Sequence, residues 1–392
     1  MTHALHRRHF LLAAGAALAL PHAALAQGDA DRPAPARPRR ARSIYVDGQG
    51  ALSGFEQPGP GRYQFSDRLL AAIRERRIDV INATIAQVGN GPDRYRSAVE
   101  GIAVWDDLIS GNPRHLVKVE RAADVRAAAE SGRIGIIYNF QDTTPLETDA
   151  MNVHRFAALG VRVMQLTYNK RNLAGDGCLE RSNAGISDFG RELIQRINAA
   201  KVLLDLSHAG QRTQAEGIAA SSAPPSITHS GCRALVDLPR NTHDAEMRAL
   251  AQKGGVFGVY LMPFLRLSGQ PQREDLLRHL DHAVNVCGED HVGIGTDDPF
   301  LGYEINDESR RQHREFYEER VRLGISAPGE SADVMNYVEG YNSADRYDRI
   351  AADLRRRGWS TTRIEKVLGG NFVRLFGEVW DRPTGSASAV AG

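Results

Sequence analysis

Eight short apolar runs rich in β-branched residues recur along this chain, and helix-length amphipathic segments separate them. The runs are Ile44–Asp47, Asp79–Ile85, Ile134–Gln141, Val161–Asn169, Val202–His208, Ser226–His229, Gly255–Leu261 and His291–Asp297. Apolar strands that alternate with helices are typical of parallel sheets covered by helices. Eight such units predict an α/β protein built as a (β/α)8 barrel of the TIM type. A doubly wound open sheet is the alternative, but no glycine-rich phosphate fingerprint follows the first run.

The segments that flank these units differ from them in composition. In residues 1–26, Arg7 and Arg8 precede an apolar stretch that ends at Leu20, which predicts a signal peptide of the twin-arginine type and a periplasmic protein. An ordinary secretory signal that happens to contain two arginines is the alternative. We interpret residues 27–42 as a disordered linker, 43–380 as the barrel domain and 381–392 as a flexible tail.

Charge and cysteine content exclude several classes of protein. The formal net charge is +1, so no basic surface for nucleic acid is predicted. The apolar stretch of the signal is shorter than the roughly 20 residues of a membrane-spanning helix. Three cysteines are too few for a disulfide framework. Cys178 and Cys232 both fall in loops at the same predicted end of the barrel, so a pairing between them is a hypothesis.

Two of the runs end in histidine, at His208 and His229, and a third ends in aspartate, at Asp297. The carboxyl ends of barrel strands form the active site in proteins of this architecture, and imidazole is a common metal ligand. We therefore predict that the two histidines bind a divalent metal and that Asp297, rather than Asp298, acts as a general base. The alternatives are two hydrogen-bonded polar residues at strand ends and an aspartate that caps a turn.

Arg240 lies in the loop after the sixth run, one loop beyond His229. A guanidinium in that position could bind a substrate carboxylate in bidentate fashion. A surface arginine paired with Asp237 or Asp244 is an equally compatible interpretation.

Several motifs together resemble the membrane (renal-type) dipeptidase family, from about Ile44 to Trp380. They are Leu204-Asp-Leu-Ser-His208, Ile227-Thr-His-Ser230, Leu238-Pro-Arg-Asn241, Gly293-Ile-Gly-Thr-Asp297 and Leu368-Gly-Gly-Asn-Phe-Val-Arg374. The resemblance implies an amidohydrolase-type barrel whose typical members carry two zinc ions and hydrolyse dipeptides. It also implies that His208 and His229 bind one metal, that Asp297 is the acid/base residue and that Arg240 binds the substrate.

Other positions depart from the family pattern. The first-strand motif Asp-Gly-His-x-Asp reads Asp47-Gly-Gln-Gly-Ala51, so both ligands of the other metal are missing. The bridging glutamate is replaced by Gln141, and the histidine that contacts the reacting carbonyl is replaced by Tyr168. We therefore expect at most one zinc ion, with a third ligand from Gln141, Asp142 or Asp297. Tyr168 is expected to donate a hydrogen bond to a developing oxyanion.

The resulting prediction is an exported metal-dependent dipeptidase-like hydrolase. Its substrate would be a dipeptide or small amide with a free carboxylate. Asp297 and Tyr168 are the predicted catalytic residues, and Arg240 and Gln141 the predicted substrate-binding residues. A homodimer is one possible assembly. The alternatives are a metal-free relative that binds or tailors a peptide-like ligand, and an enzyme that acts on a modified peptide or natural product.

Overall fold

The computed structural model of the protein describes residues 43–59 and 62–382. Within these residues the strands are β1 (Val46–Gly50), β2 (Phe55–Gly59), β3 (Arg62–Phe65), β4 (Val80–Thr84), β5 (Leu116–Lys118), β6 (Ile134–Phe140), β7 (Val161–Gln165), β8 (Leu203–Asp205), β9 (Ser226–Ser230), β10 (Val256–Val259) and β11 (Val292–Ile294). The predicted signal peptide and linker, and residues 383–392 of the predicted tail, lie outside the described residues.

Helices follow most of these strands. They are α1 (Asp67–Arg74), α2 (Arg94–Gly111), α3 (Ala122–Ser131), α4 (Asn152–Ala158), α5 (Asp188–Ala199), α6 (Gln211–Ala220), α7 (Asp244–Gln252), α8 (Arg273–Cys287), α9 (Asp307–Arg322), α10 (Arg346–Arg356), α11 (Thr361–Glu365) and α12 (Asn371–Trp380). A π-helical turn over Lys366–Gly370 joins α11 to α12. None of the helices in the described part of the chain is both long and apolar enough to cross a membrane.

Eight parallel strands form the barrel, and they follow one another in chain order as β1-β4-β6-β7-β8-β9-β10-β11. The chain after β11 returns to β1 and nearly closes the circle. There the Asp297 amide donates to the Gln49 carbonyl at 2.7 Å, and the Ala51 amide donates to the Asp298 carbonyl at 3.1 Å. The predicted (β/α)8 barrel is therefore confirmed, because an open doubly wound sheet would leave its first and last strands far apart.

Three elements were absent from the sequence-based prediction. The β2–β3 hairpin and α2 lie in the first third of the chain, and β5 is a three-residue strand that pairs only with β6. The N-cap residue of α2 is Asp93, whose φ of 55° is left-handed and whose side chain makes no capping hydrogen bond. Aspartate is a favoured N-cap residue, but here it does not satisfy a backbone amide of the first turn.

The helix α12 covers the amino-terminal end of the barrel. Its residues Phe372 and Phe376 are buried in one cluster with Val46, Val80 and Val256, which begin or lie near the start of their strands. This apolar packing fills one end of the barrel and leaves the polar strand ends at the other. Because α12 covers the amino-terminal end of the barrel, the carboxyl ends of the strands remain available for a functional site.

Glycines allow the last three barrel strands to pack closely beside His229. A Cβ atom on Gly258 would lie 1.9 Å from the carbonyl oxygen of Thr228, and one on Gly295 would lie 2.1 Å from the same oxygen. Any side chain at these positions would push the strands apart. The two glycines therefore bring the end of β9 close to the end of β11, where Asp297 follows.

Candidate metal centre

His208, His229 and Asp297 converge at the carboxyl end of the barrel. Their ligand atoms all lie within 4.8 Å of one another. His208 and Asp297 leave their strands in the left-handed region, at φ values of 60° and 58°. A non-glycine residue in that region costs about 1 kcal/mol or more, and such strain concentrates at functional sites. The sharp turns after β8 and β11 direct both side chains into one pocket.

The tautomer of His208 follows from its neighbour Asn169. Nδ1 of His208 lies 2.6 Å from Oδ1 of Asn169, and an amide oxygen can only accept a hydrogen bond. The amide orientation is supported by Nδ2 of Asn169, which donates to the Ile325 carbonyl at 2.7 Å. Nδ1 of His208 therefore carries the proton, and Nε2 keeps its lone pair. Among the described residues, this buried Nε2 has no hydrogen-bond partner.

His229 has the same tautomer for a different reason. Its Nδ1 lies 2.8 Å from the Thr228 hydroxyl, and that hydroxyl donates to Oδ2 of Asp205 at 2.6 Å. Because the Thr228 proton goes to Asp205, the Thr228 oxygen accepts from Nδ1 of His229. Nε2 of His229 is buried and without a partner in the described chain. Both imidazoles thus present a bare Nε2, as metal ligands do when an outer hydrogen bond fixes the ring.

The protonation states of these groups suit metal binding. Burial lowers the pKa of His208 well below its usual value, and the positive charge of Arg240 adds to the effect. Burial and Arg240 act on the pKa of His229 in the same direction. Burial raises the pKa of Asp297 to about 6, against the opposing charges of Arg240 and Arg320. At neutral pH the site therefore offers two neutral imidazoles and a carboxylate.

Arg240 is buried beside these residues and does not lie on the surface. Its guanidinium carbon lies 5.6 Å from the ring centre of Tyr260 and 5.8 Å from that of Phe264. Its Nη2 has no hydrogen-bond partner in the described part of the chain. Asp237 and Asp244, the acids of the alternative interpretation, pair instead with other residues. A buried cation with an unused donor can bind an anionic group.

Tyr168 lies against His208 and contacts the excursion, which we define as residues 299–345. The two rings stack with centroids 4.1 Å apart. The Tyr168 hydroxyl accepts a hydrogen bond of 3.1 Å from Arg320, at the end of α9. The excursion therefore supplies a side chain to the edge of the pocket.

Two of the positions that would hold a second metal ion carry amide side chains, and each amide bonds to a neighbouring polar side chain. Nε2 of Gln49 donates to Thr84 at 2.9 Å, and its Oε1 accepts from Nδ2 of Asn139 at 2.6 Å. The Gln141 side chain forms a hydrogen bond with Asp297. Ala51 offers no ligand atom. These residues do not fit a second divalent ion, because neutral amides cannot balance its charge as carboxylates do.

Other acids near the strand ends are already engaged. Asp142, one proposed third ligand, accepts from the Gly89 amide at 2.6 Å and from the Thr144 amide at 2.9 Å. Asp298 is buried and paired with Arg346. Of the three candidates for a third ligand, Asp297 is the residue that the structure groups with both histidines.

All three cysteines are free thiols, so the hypothesised bond between Cys178 and Cys232 is not formed. The Cys178 thiol donates to Oδ1 of Asn169, and the Cys232 thiol donates to the His279 carbonyl. Each sulfur therefore has its own local partner.

Four residues of this site were not predicted from the sequence. Asn169 and Thr228 each stand next to a predicted site residue, so their position was a usable signal. Asp205 lies inside the motif around His208 and anchors Thr228. Arg320 is 152 positions from the tyrosine it contacts, and no local pattern marks it.

Comparison with known proteins identifies the relatives of this chain. The family model for membrane dipeptidase (Peptidase family M19) matches residues 68–311. An uncharacterised protein of the pqqA 5′ region of Klebsiella pneumoniae is 26% identical over 292 residues, which are 72% of this chain and 95% of that protein. Dipeptidase tcpJ of Claviceps purpurea is 26% identical over 266 residues, 67% of this chain and 55% of the dipeptidase.

A solved structure agrees with these relatives. An amidohydrolase from Pseudomonas aeruginosa superposes with a TM-score of 0.73 at 29% sequence identity, and the match covers 86% of this chain and 97% of the amidohydrolase. The similarity therefore extends over nearly the whole barrel.

Proposed function

The chain belongs to the membrane dipeptidase family, Peptidase family M19, and from this premise we propose that it hydrolyses the amide bond of dipeptides or small peptide-like compounds with one divalent metal ion. The family consists of metal-dependent peptide hydrolases, and a relative that bears the name dipeptidase supports the reaction class. The proposal departs from the usual family member in the number of metal ions and in the residue beside the reacting carbonyl.

One observation carries this proposal. Two buried imidazoles present Nε2 atoms without partners, and a carboxylate oxygen lies within 4.8 Å of both. Burying polar atoms without partners costs about 1–3 kcal/mol each. A ligand that satisfies the two nitrogens would remove this cost. Two nitrogens and one oxygen are the donor set of mononuclear catalytic zinc sites, which keep a further position open.

The metal would be held by His208 and His229, with Asp297 as the third ligand. A bound zinc ion would supply Lewis acidity toward the substrate carbonyl. The ligand atoms of the described residues support one metal ion. The amides of Gln49 and Gln141 stand where a second metal ion would need charged or imidazole ligands.

Asp297 is the proposed acid/base residue. A carboxylate has two oxygens, so contact with a metal leaves one free to exchange a proton. Burial raises the pKa of Asp297 toward the range in which a group can accept a proton and later return it. Asp297 would remove a proton from the attacking water and deliver it to the leaving amine.

Arg240 is the proposed anchor of the substrate carboxylate, and Gln141 shapes the adjoining wall. The unused Nη2 of Arg240 and its aromatic surroundings support this role. A fixed guanidinium would hold one end of the substrate, so that the scissile carbonyl lies beside Tyr168 and the histidines.

The test is elemental analysis of protein purified without added zinc, combined with hydrolysis of a panel of dipeptides. We expect about one equivalent of metal and turnover of at least one dipeptide. His208→Ala should lose both, whereas His154→Ala, on α4, should lose neither. Unchanged metal content in His208→Ala would refute the metal centre. A protein with neither metal nor turnover would support a family member that binds or tailors a peptide-like ligand, which the amide network around Gln49 favours.

We also propose export by the twin-arginine route to the periplasm. Arg7 and Arg8, followed by the apolar stretch to Leu20, support it. That route carries folded proteins, so the metal would be acquired before export. Replacement of both arginines by lysine should retain the protein in the cytoplasm, and unchanged periplasmic recovery would contradict the route.

A further inference from the structure

Arg320 contacts the pocket from outside the barrel. It lies at the end of α9, and none of the residues of this helix is fully buried. The Arg320 side chain is nevertheless only 11% exposed, because its guanidinium is inserted between the excursion and the barrel. A buried arginine at the end of an otherwise exposed helix calls for a specific role.

The guanidinium of Arg320 is held rigidly. Its Nε donates to Oε2 of Glu330 at 2.7 Å, and its Nη2 donates to Oε1 at 2.8 Å. This bidentate ion pair with an 8% exposed carboxylate fixes the plane of the guanidinium. The remaining nitrogen, Nη1, is left to donate to the hydroxyl of Tyr168 at 3.1 Å.

The direction of this hydrogen bond is not ambiguous. A guanidinium has donors and no acceptor, so the Tyr168 oxygen must accept. The proton of Tyr168 must then go elsewhere. No hydrogen bond from this hydroxyl to an acceptor is found within residues 43–59 and 62–382. The Tyr168 ring stacks on His208, which keeps the hydroxyl at the edge of the pocket.

We infer that Arg320 is a positioning residue that turns the Tyr168 hydroxyl proton into the pocket, where it donates to the oxyanion formed from the substrate carbonyl. This inference rests on the proposed hydrolase function. The charge on Arg320 also polarises the hydroxyl and makes it a stronger donor than an isolated tyrosine. The pair takes the place of the histidine that other family members carry at the position of Tyr168. A residue of the excursion thus completes a site whose other members come from the barrel.

A double-mutant cycle tests the inference. The variants are Tyr168→Phe, Arg320→Met and the double variant, and the control is Arg322→Met, whose guanidinium is 73% exposed and pairs with Glu319. Loss of one oxyanion donor lowers kcat by about 100-fold, so we expect that for Tyr168→Phe with KM nearly unchanged. Arg320→Met should lower kcat by about 10-fold, and by less than about 2-fold in the Tyr168→Phe background.

Affinity provides a second readout. The probes are a phosphinic pseudodipeptide, which carries a tetrahedral oxyanion, and its ketomethylene counterpart, which carries a planar carbonyl. Both single variants should weaken the binding of the phosphinic probe about 10-fold or more. They should change the affinity for the ketomethylene probe by less than about 3-fold. Equal weakening of both probes, or additive losses in the double variant, would show that Arg320 only holds the excursion in place. If wild-type protein bound neither probe, the proposed function would fail, and this inference with it.

Discussion

Oδ1 of Asn169 lies 2.6 Å from Nδ1 of His208, and this contact decides which nitrogen of the imidazole faces the pocket. The same amide donates to the Ile325 carbonyl of the excursion. One side chain therefore links a barrel histidine to the segment that bounds the site. The contact also explains why His208 can be buried and neutral and still be ready to bind a metal.

Removal of this amide should weaken metal binding. In Asn169→Ala, His208 loses the acceptor that fixes its tautomer, and loss of such an outer contact lowers metal affinity by about 10–100-fold. Competition with a chromophoric chelator would measure the zinc affinity. Asn169→Asp keeps an acceptor and should retain most of it. Equal affinity in wild type and Asn169→Ala would show that the tautomer is set by something else.

Arg240→Met should weaken the binding of ligands that carry a carboxylate more than the binding of ligands that lack one. A hydrogen bond to a charged group contributes about 1.5–3 kcal/mol, which corresponds to about 10–150-fold in affinity. In calorimetric titrations, dipeptides with a free carboxylate should lose affinity by this factor, and their C-terminal amides should lose far less affinity. The control is Arg233→Met, because that guanidinium pairs with Asp237. A uniform loss for both ligand series would remove Arg240 from the anchor role.

The combined change Gln49→His, Ala51→Asp and Gln141→Glu should raise the metal content from about one to about two equivalents. It restores the imidazole and the two carboxylates that a second ion requires. Gln49 and Gln141 already lie at the strand ends near the centre, where Gln49 contacts Asn139 and Gln141 contacts Asp297. Elemental analysis is the measurement. Unchanged stoichiometry would mean that the side chains do not reach a common point.

The free energy of unfolding should decrease as pH falls because one buried histidine, His279, must become protonated. Nδ1 of His279 accepts from the Cys232 amide at 2.9 Å, and Nε2 donates to the Leu265 carbonyl. Burial lowers the pKa of His279 from 6.5 to about 4. The unfolded chain therefore binds the proton first, and stability is lost as pH falls from about 6.5 toward 4, by about 3 kcal/mol in total.

Urea denaturation at pH 7.5 and pH 5 would measure this loss. His279→Asn keeps an acceptor for the Cys232 amide but does not titrate. The difference in the free energy of unfolding between the two pH values should be smaller in the variant. A difference as large as in wild type would assign the effect to other groups.

A buried ion pair lies beside the contacts that close the barrel. Arg346 and Asp298 are 2% and 1% exposed, and Arg346 also donates to the Pro299 carbonyl at 2.7 Å. Arg346→Met leaves Asp298 buried without its cation, which should lower the free energy of unfolding by about 3–5 kcal/mol. Arg349→Met, which removes an exposed pair with Asp345, should cost less than about 1 kcal/mol. Similar losses in both variants would show that burial of the pair is unimportant.

Much of the architecture could be predicted because its signals are local. Most barrel strands are largely apolar runs that are buried on both faces, and β6, with seven buried residues, is the clearest case. Two helices also carry local signals, because the Ser187 side chain caps the start of α5 and Gly132 follows the end of α3. The hairpin β2–β3 and the strand β5 lack such signals. Because these strands are short, whether they form depends on the strands with which they pair.

The sequence by itself determined the order of the strands, the two imidazoles and one carboxylate at strand ends, and the loss of the ligands at positions 49, 51 and 141. These follow from residue type and periodicity, which act over a few neighbouring residues. The tertiary structure alone decided the tautomers of His208 and His229, the burial of Arg240, and the contact between Arg320 and Tyr168. Each of these depends on atoms brought together from distant parts of the chain, and in a buried site it is those atoms that set hydrogen-bond direction and charge.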